Sequence, residues 1–202
     1  MRKIVGAAFV SLDGVMQAPG WPEEDPSGGF ALGGWIWAYS DEITREAVRG
    51  YLLGAPYALL LGRKTYEIFA PYWPQMPPEH PIAARFNPAT KYVLSSHDLT
   101  PHWHNSHRLP GLEAVRELKA TQGPDLLVQG SSTLYPQLLQ AGLLDKLIVQ
   151  TYPVILGRGK RLFGEGTLPV GLKLVSSVVS TTGVVIATYE PTGQKPAPSS
   201  MP

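Results

Sequence analysis

The segment from Ala58 to Glu67, ALLLGRKTYE, constrains the fold of this chain more than any other. Its run of aliphatic residues stops at Gly62, which is typical of a strand buried on both faces. Arg63, Lys64 and Thr65 then read as the first turn of a helix. Free amide groups and the positive end of the dipole at a helix start attract anions, and glycine lets a ligand approach the backbone. The segment predicts an anion site, although an ordinary strand-to-helix connection with solvated cations explains it equally well.

A second segment repeats this pattern. Residues Leu126 to Tyr135, LLVQGSSTLY, contain another apolar run and another glycine, Gly130, followed by the hydroxyl-rich residues Ser131, Ser132 and Thr133. Two such turns in one small domain indicate a ligand with two phosphate-bearing ends. We therefore expect both turns to converge on the same diphosphate.

The composition fits a single α/β domain and narrows the range of partners. A chain of 202 residues can bury one sizeable core. The formal net charge of +1 gives no reason to expect nucleic acid or an anionic membrane surface as a partner. Charged residues make up 16% of the chain, below the roughly 25% usual in soluble domains. The surface should therefore be unusually apolar, and we expect a homodimer.

The cellular location is predicted from two further features. The chain has no cysteine, which excludes disulfides and thiolate metal sites and fits a cytoplasmic protein best. The apolar N-terminal residues are interrupted at Ser11 and Asp13, so they predict a strand and not a signal peptide. No apolar run approaches the roughly 18 residues that a membrane span needs. We predict neither a membrane partner nor a metal site.

Strands and helices alternate along most of the chain, which predicts a mostly parallel sheet with helices on both faces. A hairpin around Thr182 and Gly183 adds antiparallel strands at one edge. We expect one domain over residues 1–190 and a disordered tail over 191–202. The predicted strands are 3–12, 57–61, 91–96, 102–107, 125–129, 146–154, 172–181 and 184–189, and the predicted helices are 41–53, a helix from 63, 82–86, 111–121 and 132–141.

Ligands bind such sheets beyond the carboxyl ends of the strands, where Asp13, Gly62, Ser95 and Gly130 should gather. A long loop rich in proline and glycine, residues 17–34, leads to Trp35 and Trp37. Long loops inside a compact domain are usually functional or mobile. Large rings in and after this loop can cover a flat substrate, or they can serve as packing anchors.

Five motifs in order resemble the dihydrofolate reductase-like superfamily, and more closely the bacterial proteins similar to the reductase domain of the riboflavin-biosynthesis deaminase-reductase. They span nearly the whole chain, and each is weak when taken singly. The motifs are SLDG at 11–14, LGRKTYE at 61–67, YVLSS at 92–96, QGSSTLY at 129–135 and GVVIATY at 183–189.

This resemblance implies a three-layer dihydrofolate reductase-like fold and NADPH as the hydride donor. The pyrophosphate would lie on the turn of Gly62, Arg63, Lys64 and Thr65. The turn of Gly130, Ser131, Ser132 and Thr133 would contact its other side and the nicotinamide ribose. The resemblance also places Ser95 and Ser96 near the adenosine 2′-phosphate.

Two carboxylates compete for the role of proton source. Dihydrofolate reductases carry one on the first helix, and spacing from Gly62 places it at Glu46 here. Glu46 also falls at the edge of the apolar face of the predicted helix. In the riboflavin-type reductases the turn after the first strand lines the site, which favours Asp13. Asp13 can equally be a turn residue that bonds only its own backbone.

We therefore predict an NADPH-dependent oxidoreductase that transfers a hydride to a small flat heterocycle, similar to a pterin or a riboflavin precursor. Asp13 or Glu46 would polarise or protonate this small-molecule substrate, and Trp35 and Trp37 would cover it. The alternative is a nucleotide- or flavin-binding module without turnover, which would keep the glycine turns and lack a working acid.

Overall fold

The structure is a computed structural model that describes residues 1–196. Eight strands form one sheet: β1 (Ile4–Ser11), β2 (Tyr57–Gly62), β3 (Lys91–Leu94), β4 (Ser106–Leu109), β5 (Asp125–Gln129), β6 (Lys146–Tyr152), β7 (Leu172–Val179) and β8 (Val185–Pro191). Their order across the sheet is β4-β3-β2-β5-β1-β6-β8-β7. Strands β1 to β6 are parallel, and β8 runs antiparallel to both of its neighbours.

Helices cover both faces of the sheet. They are α1 (Glu42–Leu52), α2 (Arg63–Tyr72), α3 (Ala83–Phe86), α4 (Leu112–Ala120) and α5 (Leu134–Gln140). Helices α4 and α5 pack with Ile4, Ala8 and Leu60 on one face. Helices α1, α2 and α3 pack on the other face, where Leu59 and Leu127 point because neighbouring residues of a strand face opposite sides. The predicted three-layer α/β fold class, with its antiparallel C-terminal hairpin, is confirmed.

Helix α1 starts at a capping box that also fixes it to the C-terminal hairpin. The Asp41 carboxylate accepts a hydrogen bond from Thr44 N (2.8 Å), and Thr44 Oγ1 accepts one from Asp41 N (2.8 Å). The hydroxyl of Thr181, beside the hairpin turn, donates to the same carboxylate at 2.7 Å. Hydrogen bonds from Thr44 and Thr181 lower the pKa of Asp41 well below its ordinary value.

The predicted edge strand at 102–107 is wrong in its bounds, because β4 begins only at Ser106. Trp103 is buried, and its amide donates to the hydroxyl of Tyr66 at 2.9 Å. Its indole nitrogen donates to Asn87 Oδ1 at 3.1 Å. The backbone around Trp103 is therefore used to anchor this ring against α2 and α3, and strand pairing starts after it.

The C-terminal end of the described chain remains attached to the sheet. Strand β8 extends to Pro191, and Gly171 exchanges backbone hydrogen bonds with Thr192 (2.9 Å) and Gln194 (2.7 Å). Residues 197–202 of the expected tail lie outside the described residues. Among residues 1–196, no helix has the length and apolar character needed to cross a membrane.

Candidate active site

The bends that follow β2 and β5 lie side by side because these strands are neighbours in the sheet. Gly62 N donates a hydrogen bond to Ser131 Oγ at 2.9 Å, and Ser131 N donates one to Thr65 Oγ1 at 2.8 Å. These two buried hydrogen bonds cross between the bends in opposite directions. The structure thus joins the two predicted phosphate-binding turns into one unit, which we call the paired bends (residues 62–65 and 130–133).

The second bend needs glycine at its first position. Gly130 has a φ of +64°, and a Cβ there would lie 2.8 Å from Thr65 Cγ2. Ser131 also adopts a left-handed conformation, with a φ of +61°, which costs an ordinary side chain about 1 kcal/mol or more. The two hydrogen bonds to Gly62 and Thr65 hold Ser131 in this conformation. The paired bends therefore contain one strained residue, Ser131, beside a glycine that no other residue can replace without a clash.

The paired bends present several unused hydrogen-bond donors. The amides of Arg63, Lys64 and Thr65 form the first turn of α2, where no helical acceptor exists. The amides of Ser132 and Thr133 lie before α5 and likewise precede its first helical hydrogen bonds. The hydroxyls of Ser132 and Thr133 add further donors. Such a set of amides and hydroxyls is suited to the oxygen atoms of a phosphate.

Two cations stand at the edge of the paired bends. Arg63 pairs with Glu67 at 2.6 Å, and Lys64 pairs with the same carboxylate at 3.2 Å. The Arg63 and Lys64 side chains are largely solvent-exposed, so each pair is worth only about 0 to 1 kcal/mol. Either cation can therefore turn toward a bound anion at little cost.

The paired bends form part of the wall of a cavity of about 310 Å³ at the carboxyl ends of the central strands, which we call the glycine cleft. All the residues predicted for the two turns border it: Gly62, Arg63, Lys64, Thr65, Gly130, Ser131, Ser132 and Thr133. Phe9 of β1 and Gln129 of β5 line it as well, and Lys160 and Asp25 close it from the loops.

Ser95 and Ser96 do not border the glycine cleft. At the end of β3, the residue that lines the cleft is Leu94. Ser95 is buried, and its hydroxyl is engaged by the backbone of His97, donating to the carbonyl at 2.7 Å and accepting from the amide at 3.1 Å. Ser96 is exposed beyond it.

A second cavity of about 400 Å³ adjoins the glycine cleft, and we call it the aromatic chamber. The ring of Trp21 stacks on Tyr72, with centroids 3.9 Å apart and planes 6° from parallel. Trp73 meets Trp21 edge-on at 6.2 Å. The two cavities share the residues Phe9, Pro19, Glu24, Phe69 and Gln129. A flat molecule in the chamber would thus lie next to one in the cleft.

The two tryptophans predicted to cover the substrate have different positions. Trp37 lines the aromatic chamber, is 63% exposed, and donates its indole N–H to the carbonyl oxygen of Gly20 at 2.5 Å. Trp35 borders neither cavity. It is buried edge-on against Tyr152 at 5.3 Å and donates to the carbonyl oxygen of Gln17 at 2.9 Å. Trp35 is therefore an anchor of the loop.

Asp13 borders neither cavity and joins two loops. Its carboxylate accepts hydrogen bonds from Ser11 Oγ (2.6 Å), Leu156 N (3.1 Å) and Gly157 N (2.9 Å). The Ser11 hydroxyl above all, and then the two amides, lower the pKa of Asp13 to about 2. Such a group stays ionised at neutral pH and is poorly suited to donate a proton.

Glu46 also lies outside both cavities. Its side chain is 71% exposed on α1 and pairs with Arg49 at 3.3 Å. Helix α1 has the predicted apolar face, but the Glu46 side chain points away from that face into solvent. The structure does not bring Asp13 and Glu46 together with the paired bends.

The carboxylate that lines both cavities is Glu24, which no sequence pattern singles out. It lies in the 17–34 loop, and its Oε2 accepts a hydrogen bond from Gly20 N at 2.6 Å. Burial raises the pKa of Glu24 to about 7, against the lowering effect of the Gly20 and Trp21 amides. In the sequence Glu24 stands between Glu23 and Asp25, and no periodicity separates the three acids.

A family comparison agrees with this geometry. Residues 2–186 match the model of the RibD C-terminal domain. The chain belongs to the RibD C-terminal domain family. The match covers every strand up to the first part of β8, including both paired bends and the 17–34 loop. This confirms the predicted resemblance to the riboflavin-type reductase domain.

Individual relatives support the same fold. The chain is 26% identical over 199 residues to the uncharacterized protein YyaP of Bacillus subtilis (strain 168), covering 93% of this chain and 94% of YyaP. The crystal structure of a "putative riboflavin biosynthesis protein" from Shewanella sp. PV-4 superposes with a TM-score of 0.70 at 18% identity, and the match covers 94% of this chain and 99% of that one.

The dihydrofolate reductase of Enterococcus faecalis, solved with NADP(H), has the same fold. It superposes with a TM-score of 0.57 at 14% identity, and the match covers 94% of this chain and 96% of the reductase. Together the family and these neighbours establish a reductase-type, dihydrofolate reductase-like fold for this chain.

Proposed function

We propose that this protein is an NADPH-dependent reductase that transfers a hydride to a small flat heterocycle, similar to a pterin or a riboflavin precursor. The observation that carries the proposal is the pair of hydrogen bonds by which Gly62, Thr65 and Ser131 join two strand ends beside one cleft. The fold of the RibD C-terminal domain family supports the reductase class.

The donor set of the paired bends fits a dinucleotide. The amides of Arg63 and Lys64 on one bend and of Ser132 and Thr133 on the other would hold the pyrophosphate between them. The exposed Ser96 is the serine that we propose for the 2′-phosphate, because the hydroxyl of Ser95 is engaged by His97. When bound, NADPH supplies the hydride, and the protein supplies position and exclusion of water.

The aromatic chamber is the proposed substrate site. Its wall of stacked and edge-on rings, including Trp21 and Tyr72, suits a flat heterocycle because aromatic faces contribute both burial and stacking energy. The residues Phe9 and Gln129 border both cavities and would lie where the reacting ring of the cofactor meets the substrate. Trp37 would cover the open side.

A nucleotide- or flavin-binding module without turnover is the second candidate. The observation that favours it is the position of Asp13 and Glu46, neither of which borders a cavity. A module of this kind would bind the dinucleotide through the paired bends and oxidise none of it.

We also propose that the protein is a cytoplasmic homodimer. Strand β7 is an edge strand of the sheet, and four of its apolar side chains are between 45% and 62% exposed: Leu174, Val175, Val178 and Val179. An exposed apolar edge strand is a surface that proteins usually cover. Light scattering that gives the mass of one chain would refute the dimer.

The test of the proposed function has two steps. NADPH and NADH are first titrated against the protein by fluorescence, and we expect saturable binding with a preference for NADPH. The loss of NADPH absorbance is then followed with a panel of pterins and pyrimidines. Oxidation that depends on one of these acceptors supports the reductase, and binding without oxidation supports the module. Absence of NADPH and NADH binding would refute the reductase.

A further inference from the structure

The junction between the glycine cleft and the aromatic chamber contains one carboxyl group. Among the described residues, Glu24 and Asp25 are the carboxylates that line the cleft, and Glu24 alone also lines the chamber. Asp25 is paired with Lys160 at 2.6 Å and accepts a hydrogen bond from Ser27 Oγ at 2.5 Å. Among residues 1–196, no cation forms an ion pair with Glu24.

The loop holds Glu24 in a defined place. Gly20 N donates to Glu24 Oε2 at 2.6 Å, and the carbonyl oxygen of Gly20 accepts the indole N–H of Trp37 at 2.5 Å. Glu24 N donates to the carbonyl oxygen of Trp21 at 3.1 Å, which closes a tight turn. The amides of Gly20 and Trp21 thus fix the carboxyl group of Glu24 beside both cavities.

We propose that Glu24 is the proton donor to the substrate in this protein, acting from the junction of the two cavities. The proposal rests on the proposed reductase function and assigns to Glu24 the role that the sequence placed on Asp13 or Glu46. A group that borders both cavities can reach an acceptor in the chamber while the hydride arrives from the cleft.

The chemistry suits a substrate with a C=N bond. When bound, NADPH would supply the hydride of the new C–H bond and would become NADP⁺, while the π electron pair of the C=N bond moves to nitrogen. The O–H bond of Glu24 breaks, and its proton forms the N–H bond. The Glu24 carboxylate then regains a proton from water. Burial raises the pKa of Glu24 to about 7, so the acid form is available near neutral pH.

Other charged groups face the same cavities, and their titration can also change how kcat depends on pH. In the glycine cleft these are Asp25, Arg63, Lys64 and Lys160, and in the aromatic chamber they are Arg45, Arg49 and His80. A pH dependence is therefore assigned to Glu24 only if it disappears in Glu24→Gln. The adjacent Glu23 is exposed and borders neither cavity, so Glu23→Gln is the matched control.

The first experiment measures kcat for an acceptor from the pterin panel that contains a C=N bond. We expect wild-type kcat to fall about tenfold per pH unit above about pH 7, because the acid form is lost. Glu24→Gln should lower kcat at about pH 6 by about 100-fold or more and abolish this dependence, with NADPH affinity changed by less than about twofold. Glu23→Gln should behave as wild type. An unchanged rate and pH profile in Glu24→Gln would overturn the proposal.

The second experiment needs no acceptor. Carboxyl-carbon NMR of glutamate-labelled protein follows the titration of Glu24, which is identified by the resonance that Glu24→Gln removes. Oxidised nicotinamide carries a positive charge, so NADP⁺ should lower the titration midpoint by about one pH unit relative to NADPH. Equal midpoints would show that Glu24 is remote from the reacting ring and would overturn the proposal.

The two levels of failure are separable. A wild-type protein that binds no dinucleotide refutes the reductase function and, with it, the role of Glu24. A wild-type protein that binds and oxidises NADPH while Glu24→Gln does so equally well refutes the role of Glu24 alone.

Discussion

Ser131 N donates a hydrogen bond to Thr65 Oγ1 at 2.8 Å across a gap of 66 residues in the sequence. Thr65 belongs to the first turn of α2, and Ser131 belongs to the bend after β5. Together with the hydrogen bond from Gly62 N to Ser131 Oγ, the Thr65 hydroxyl thus fixes the distance between two helix starts. Since both helix starts present free amides, this distance determines whether one diphosphate can be held by both.

Thr65→Val tests that relationship because it removes the acceptor and keeps the shape. The buried amide of Ser131 then has no partner, so we expect the free energy of unfolding to fall by about 1 to 3 kcal/mol. NADPH affinity should fall as well. Urea denaturation and fluorescence titration measure the two effects. Thr65→Ser retains the hydroxyl and is the matched control; a Val variant as stable as the Ser variant would contradict the account.

Asp13→Asn is predicted to affect stability and not cofactor binding. The charged carboxylate accepts amide hydrogen bonds from Leu156 and Gly157, and the amide side chain would weaken them, at a cost of about 1 kcal/mol. The pKa of Asp13 is lowered to about 2 from its ordinary 3.8, so its stabilisation is present above pH 3.8 and is lost as the pH falls toward 2. Urea denaturation over this pH range measures the effect. A weakened NADPH affinity at unchanged stability would return Asp13 to the site.

Glu24→Gln is predicted to change how stability depends on pH. The pKa of Glu24 is about 7 in the folded chain against an ordinary value of 4.5, so the folded state binds more protons between these values. Glu24 therefore lowers the free energy of unfolding progressively as the pH rises from 4.5 to 7, by about 3 kcal/mol. Urea denaturation should show that the free energy of unfolding of Glu24→Gln rises relative to that of wild type as the pH increases from 4.5 to 7. A constant difference at all pH values would contradict a raised pKa.

The sequence was sufficient for the fold because the signals are local and repeated. Apolar runs that end at Gly62 and Gly130 mark buried strands, and alternation with helices implies a parallel sheet. The bounds of β4 were missed because Trp103 anchors the chain through contacts with Tyr66 and Asn87 that lie far away in the sequence. No periodicity reports contacts of that kind.

The site was predictable only where backbone shape decides it. The paired bends follow from two glycines and their hydroxyl neighbours. The roles of the carboxylates cannot be predicted in this way. Asp13, Glu24 and Glu46 are all acidic residues in the sequence, and they differ only in what surrounds them in the fold. Asp13 is held by two amides, Glu46 faces solvent, and Glu24 is turned into a cavity by the loop. The position of Glu24 depends on how the 17–34 loop packs against aromatic residues, and the sequence does not predict that packing.

Whether the paired bends hold the diphosphate is best decided by the NADPH dissociation constant of Gly130→Asp, compared with that of Gly142→Asp. Both glycines have a φ of +64°, so both variants carry the same backbone strain, but nothing lies within 4 Å of a Cβ at Gly142 and it is exposed. With folding verified by circular dichroism, we expect Gly130→Asp to abolish NADPH binding through charge and bulk at the paired bends, whereas Gly142→Asp should bind NADPH as wild type does. Equal affinity in a folded Gly130→Asp and wild type would show that the paired bends do not hold the diphosphate.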